Sequence, residues 1–327
     1  MKRPPHPNPP PSRGRGQRFL DPPLSRGKGP QVFHPPRKGE GVSKGYPPPL
    51  RGRAGGGGAP LANRIDQTFV RLRERGEKAL IPYVMLGDPD VATTEALALA
   101  AASAGADLLE IGIPFSDPLA DGPVLQRSAE RALAQKVTLA DALALVRRLR
   151  AKIQIPLLFM TYYNLIFQYG DERLANDAAA AGVDGLIVPD LPPEEAVPLE
   201  TAARAAGLYL IYLIAPTTPP ARIKLIAKRG GGFLYYVSLT GITGSKLPAL
   251  DEVDRSVQAI KRVTDLPVAV GFGVSTPEEA GRIARVADGV IVASALIKRL
   301  HAQPDPASRL AELAAYLKSL KTALGPR

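Results

Sequence analysis

Residues 156–216 read PLLFMTYYNLIFQYGDERLANDAAAAGVDGLIVPDLPPEEAVPLETAARAAGLYLIYLIAP. Three short apolar runs, at 156–162, 184–190 and 208–216, are separated by Ala-rich amphipathic stretches near 170–181 and 193–206. Runs that are apolar at successive rather than alternate positions belong to strands buried on both faces, as in a parallel sheet covered by helices. The same rhythm extends upstream through ALIPYVML (79–86) and DLLEIGI (107–113). Downstream it continues through GFLYYVSL (232–239), LPVAVGF (266–272) and DGVIVAS (288–294). Further helices are expected near 91–104, 138–151, 219–229, 250–263 and 277–285, with a long last one at 305–323. Eight strand–helix units in about 250 residues predict a single closed (β/α)8 TIM barrel. A doubly wound open sheet competes, but nothing like GxGxxG follows the first strand. Ahead of the first strand, LANRIDQTFVRLRERG, starting at Leu61, adds an extra N-terminal helix, with Ile65, Phe69 and Leu72 at helical spacing and Gly76 to end it.

Upstream of Leu61 the composition changes. Residues 1–60 hold 15 of the 34 Pro, 12 of the 31 Gly and 12 Lys/Arg against only Asp21 and Glu40. A crude unit recurs as PPPSRGRG (9–16), PPLSRGKG (22–29) and PPLRGRAG (48–55). Such a segment buries too little apolar surface to offset its ordering entropy, so 1–60 is read as a disordered basic extension and 61–327 as the catalytic barrel domain. Most of the net charge of +11 therefore belongs to the extension. With only Phe19, Phe33 and Tyr46 for base stacking, no nucleic-acid partner is expected.

The counts exclude whole chemistries. Without Cys there is no disulfide, thiolate nucleophile or Cys-ligated metal. His6 and His34 lie in the extension, leaving His301 alone for the barrel, so a Ser-His-Asp triad or a multi-His metal site is all but excluded and no metal is expected. Proton transfer must then rely on carboxylates, Lys or Tyr. No apolar run approaches a membrane span, no secretory h-region is present, and a cytoplasmic location is expected.

In a closed barrel the chemistry sits at the C-terminal ends of the strands. Glu110 interrupts the apolar second strand, where a carboxylate is costly unless it is paired or needed. Strand alternation puts Leu108, Glu110 and Gly112 on one face. If that face points inward, desolvation would lift the Glu110 pKa toward that of a general acid/base; the alternative is a structural carboxylate held by a hydroxyl or backbone N–H. In the following loop, PFSDPLADGP (114–123), one of Asp117 and Asp121 could brace the turn while the other reaches the mouth. That loop lacks the alternating ligand spacing of a calcium site. Gly-containing loops after the last three strands, SLTGITGSK, GFGVS and ASALIKR, suggest a phosphate cradle with Ser294 at the start of a short extra helix. Tyr83, Tyr162, Tyr235 and Phe272 are either core or the wall of a cavity for a flat apolar substrate. His301 is expected on a helix surface, without a role.

EIGIPFSDPLADGPVLQRS (110–128) closely resembles the signature of the tryptophan synthase alpha chain family, and LIPYVMLGDPD, TGITG, GFGVS and ASALI match it in order and spacing. The resemblance runs from about Leu61 to Leu324 and has no counterpart for 1–60. It implies a lyase that cleaves indole-3-glycerol phosphate to indole and glyceraldehyde 3-phosphate by a retro-aldol reaction. It casts Glu110 as the general acid/base and Asp121 as a second carboxylate that accepts a hydrogen bond from the indole N–H. It places Tyr235 near the glycerol end, Thr243 beside Asp121, and Gly244, Gly273 and Ser294 at the phosphate. Tyr83, Tyr162 and Phe272 then wall the indole pocket. It further implies a beta-chain partner in an alpha2-beta2 assembly, with pyridoxal phosphate only in that partner and no cofactor here. Asp117 becomes an interface and loop-closure residue. Two positions depart from the family: Ala293 replaces a usual Gly, suggesting a tighter phosphate loop, and Tyr83 stands where many members have Phe.

Overall fold

All seven residues of β1 (Ala79–Met85) are buried, and the two faces of the strand meet different surroundings. Ala79 and Ile81 join a cluster with Leu108, Leu158, Ile187, Ile211, Phe233, Ala269 and Ile291, while Leu80 and Val84 pack under helices with Leu109, Ile111, Leu157 and Phe159. One set fills the inside of a barrel and the other its wall, which is why alternation is invisible in the sequence. The computed structural model describes residues 63–237, 250–271 and 273–325. The extension 1–60, the 238–249 loop with Thr243 and Gly244, and Phe272 lie outside the described residues.

Every strand pairing among the described residues is parallel. From β1 the sheet runs one way through β2 (Leu109–Gly112), β3 (Leu157–Met160), β4 (Gly185–Ile187) and β5 (Tyr209–Ile211). In the other direction it runs through β9 (Gly289–Val292), β8 (Val268–Val270), β7 (Leu234–Tyr236) and β6 (Leu213–Ile214). β5 and β6 are halves of the expected fifth strand, separated only by Tyr212, so their opposite neighbours close the ring into the (β/α)8 barrel.

α2 (Val91–Ser103), α4 (Leu139–Arg150), α6 (Asp171–Ala181), α7 (Val197–Ala205), α8 (Pro220–Arg229), α9 (Leu250–Lys261), α10 (Pro277–Ile283) and α12 (Pro306–Ala323) fall where helices are expected. Capping boxes at Thr138, Thr276 and Asp305 start α4, α10 and α12 by satisfying the first free backbone N–H groups. Two helices escape the apolar pattern. α3 (Pro123–Ala134) turns toward the barrel a face partly built of Ser128, Ala129 and Ala132, too small to signal in the sequence. α5 (Tyr163–Tyr169) runs on from the apolar β3 segment until Gly170, at φ 95°, breaks it.

α1 (Arg64–Glu74) plugs the N-terminal end of the barrel. Ile65, Phe69 and Leu72 join the interior cluster, with the Phe69 and Phe233 rings 5.7 Å apart. Gly232 at φ 71° makes room: a Cβ there would stand 2.9 Å from Ile65. Asn63 caps α1 through Ile65 N–H and ties it to the barrel by donating to the carbonyls of Asp184 (2.9 Å) and Gly207 (3.1 Å). At the same end, three aspartates that precede strands repeat one bond. Asp107 accepts from Leu80 N–H (2.8 Å), Asp184 from Leu157 N–H (2.8 Å) and Asp288 from Val268 N–H (3.0 Å). Each also meets a cation: Lys321 for Asp107, Arg150 and Arg64 for Asp184, Lys261 for Asp288.

Candidate active site

Glu110 lies on the inner face of β2, level with Tyr83 on β1 and Leu158 on β3. It is fully buried, and neither carboxylate oxygen has a hydrogen-bond partner among the described residues. Of the two readings open from sequence, the structural carboxylate would require such a partner. Burial first, and the nearby charge of Asp121 second, push Glu110 up to about 8. A carboxyl group in that range can give a proton near neutral pH and take one back.

The loop after β2 turns Asp121 inward and leaves Asp117 outside. Asp117 is exposed and accepts from the Ser116 hydroxyl (2.6 Å). Asp121 is buried; its backbone N–H bonds Pro118 (3.0 Å) and its carbonyl accepts from the Gln126 amide (2.9 Å) at the start of α3. Burial pushes the Asp121 carboxyl up to about 6, opposed by a hydrogen bond from the Tyr162 hydroxyl. Tyr162 braces the same loop by accepting from Ala120 N–H (3.1 Å), and its ring stacks on Phe115 at 5.2 Å. The two acids thus differ by about two units, so near neutral pH Asp121 is mostly ionised while Glu110 mostly keeps its proton.

Tyr83 and Tyr235 are buried at the same end, and burial followed by the two carboxylates raises both phenols well above their ordinary range. Both therefore remain neutral donors. The nearest acceptor of the Tyr83 hydroxyl is the Met85 thioether at 3.6 Å, a weak one. Each ring reaches across to a glycine of the neighbouring strand. A Cβ at Gly112 would lie 1.8 Å from the Tyr83 hydroxyl oxygen, and one at Gly271 would lie 2.2 Å from Cε1 of Tyr235. Gly112 and Gly271 therefore shape the site as much as the tyrosines do. Their signal in the sequence was an inward strand position, for Gly112 two residues after Glu110, given over to a residue without a side chain.

Two strands round the mouth from β2, α11 (Ser294–His301) begins directly after β9. The Ser294 hydroxyl is buried without a partner among the described residues, at a helix N-terminus whose first N–H groups are unspent. Ala293, before it, sits at φ −118°, outside the left-handed region that would call for the usual Gly. Gly273, after β8, takes φ 63° and does need to be glycine. His301 lies exposed at the end of α11, on a helix surface as expected. Its side chain, 31% exposed, also bonds Asp88, because the last turn of α11 lies over the end of β1.

Architecture and site together define a barrel enzyme, a carbon–carbon lyase. Residues 69–324 match the family described as tryptophan synthase alpha chain. The tryptophan synthase alpha chain of Citrifermentans bemidjiense is 51% identical over 259 residues, covering 79% of this chain and 97% of the relative. That of Chloroflexus aggregans is 49% identical over 262 residues, covering 80% and 98%. Among solved structures, tryptophan synthase subunit alpha from Legionella pneumophila superposes with a TM-score of 0.75 at 42% identity, covering 81% of this chain and 99% of that one. A Mycobacterium tuberculosis tryptophan synthase structure gives 0.76 at 36% identity, covering 81% and 100%. The chain belongs to the tryptophan synthase alpha chain family, whose reaction is cleavage of indole-3-glycerol phosphate in tryptophan biosynthesis.

Proposed function

We propose that Glu110 and Asp121 divide the acid–base work of this cleavage. Glu110, protonated at the start, gives its proton to C3 of the indole ring. The ring becomes a cationic indolenine, and the ionised Asp121 stabilises it by accepting a hydrogen bond from the ring N–H. The Glu110 carboxylate then takes the proton of the C3′ hydroxyl. The C3–C3′ bond breaks, its electron pair restores the aromatic ring, and indole and glyceraldehyde 3-phosphate leave. The proton Glu110 gave leaves on C3 of indole, and the one from the C3′ hydroxyl replaces it, so the cycle closes. The unpartnered, desolvated carboxylate of Glu110 carries this reading.

Around that axis, Tyr83 and Tyr162 wall the indole, and Tyr235 stands at the glycerol end. Ser294, with the N-terminus of α11 and the Gly273 turn, holds the phosphate. By family resemblance Phe272 joins the indole wall, Gly244 the phosphate and Thr243 the orientation of Asp121. The catalytic unit is the barrel domain of 61–327, with 1–60 a dispensable extension. It works in the cytoplasm without a cofactor of its own, beside a tryptophan synthase beta chain in an alpha2-beta2 assembly that carries the pyridoxal phosphate. Among the described residues no helix is long and apolar enough to cross a membrane.

Glu110→Gln tests the reading. The amide keeps the volume and cannot shuttle a proton, so indole release should fall about 10³-fold with the fold intact by circular dichroism. Indole release at the wild-type rate would remove Glu110 from the role.

A further inference from the structure

The Asp88 carboxylate, directly after β1, is 1% exposed and is held from two helices. From α3, Arg131 donates through Nε (2.9 Å) and Nη2 (2.8 Å), and Ser128 donates its hydroxyl. From α11, His301 brings Nε2 to 2.9 Å. A carboxylate can only accept, so this imidazole nitrogen carries the proton. Arg131 Nη2, a donor only, lies against the same nitrogen, so the two contacts compete for it, and the tautomer that bonds Asp88 gives up Arg131 as a partner. Burial alone would raise the Asp88 pKa, but the hydrogen bonds from His301, Arg131 and Ser128 outweigh it and hold the group at about 2. Asp88 is therefore charged at any working pH, and the contacts to it are charge-assisted.

What these helices carry gives the cluster its meaning. α3 begins two residues after Asp121, and its Gln126 holds the Asp121 carbonyl. α11 begins at Ser294 and ends at His301, a rod about 12 Å long at 1.5 Å per residue. Along that rod, Ile297 packs with Tyr83, Val124 and Leu125, so α11 has apolar contact with the site wall. Apolar contact sets distance but little direction, whereas a charged hydrogen bond at the far end fixes the swing of the rod.

We infer that Asp88 and His301 form a latch that sets where the phosphate-binding end of α11 stands relative to Asp121, making both of them positioning residues for the reaction. The inference rests on Ser294 contacting the phosphate. Removing His301 leaves Asp88 tied to α3 through Arg131 and Ser128 and α11 tied to α12 through Arg299 and Glu312, so only the link between α11 and the end of β1 is lost. The loss should fall on phosphate binding and spare the proton chemistry.

The test uses the full chain, with glycerol 3-phosphate as a stable probe read by calorimetry and with indole release for KM and kcat. His301→Ala should weaken glycerol 3-phosphate about tenfold and raise KM by the same factor, with kcat unchanged within about twofold, as loss of one charged hydrogen bond predicts. His301→Gln, which restores a donor of similar reach, should recover most of the loss, and His301→Asn, equally polar but too short, should not. If His301→Ala does not fold, the Asn and Gln variants decide by the same contrast. Ser294→Ala separates the two readings. Weakened binding in Ser294→Ala beside wild-type binding in His301→Ala sinks the latch and leaves the phosphate site standing. Wild-type binding in both sinks the phosphate site and the latch with it. A fall in kcat without any change in binding also overturns the latch.

Discussion

The two ends of the barrel treat buried carboxylates in opposite ways. At the end plugged by α1, Asp107, Asp184 and Asp288 each accept a backbone N–H from the neighbouring strand and face a Lys or Arg. At the mouth, Glu110 is more deeply buried than any of them and has neither kind of partner among the described residues. The first arrangement fixes strand starts and holds the plug. The second leaves a charge-averse group uncompensated, which costs stability and moves its pKa to where a proton can be exchanged. Sequence neighbours do not make this difference, since all four acids stand beside apolar strand residues. Whether a cation and a free N–H converge on the carboxylate does.

The contrast can be broken most forcefully at Asp184. Asp184→Ala strands Arg150 and removes the tie to Arg64 of α1, so urea unfolding should show a loss of about 3 kcal/mol. A loss below about 0.5 kcal/mol, as at ordinary surface sites, would mean the bridges at this end do not hold the plug.

Glu110→Gln should act with the opposite sign on stability. A carboxyl raised from 4.5 to about 8 binds its proton more tightly folded than unfolded. Its contribution is fully present below about 4.5 and is lost as pH rises toward 8. The amide does not titrate, so the variant should gain a few kcal/mol over wild type at pH 8 and little at pH 4.5. Equal gains at both pH values would show that the carboxylate is not desolvated as described.

The same pair should shape catalysis. With Asp121 needed ionised and Glu110 protonated, kcat/KM should rise through about 6 and fall through about 8. Asp121→Asn should flatten the acid limb at greatly reduced turnover, and an unchanged acid limb would take Asp121 out of the pair. The smallest effect is expected from deleting 1–60. Indole release should change by less than about twofold, within the scatter of surface changes, and a collapse would make the extension part of the enzyme.

Much of this is legible in the sequence. The eight apolar runs, the helix at 61–76 and the lone acid in the second strand follow from residue type and spacing, because burial on both faces demands apolar strands and tolerates a charge only where it serves. α3 was not legible, because Ser128, Ala129 and Ala132 pack by being small. Nor was α5, whose apolar residues continue those of β3. The burial of Asp121 with Asp117 left outside depends on Tyr162 and Gln126, residues from two other elements that grip the loop. The two glycines that admit the tyrosine rings show their purpose only across a strand pair.

Local pattern settled which segments would be strands and helices, since backbone hydrogen bonding and apolar periodicity act over a few residues. The tertiary structure alone decided which carboxylates are neutralised, which tyrosines meet which glycines, and that the exposed His301 bonds Asp88. Desolvation and charge pairing are properties of everything within a few ångströms of an atom, and in a closed barrel those neighbours come from positions as far apart as Asp88 and His301.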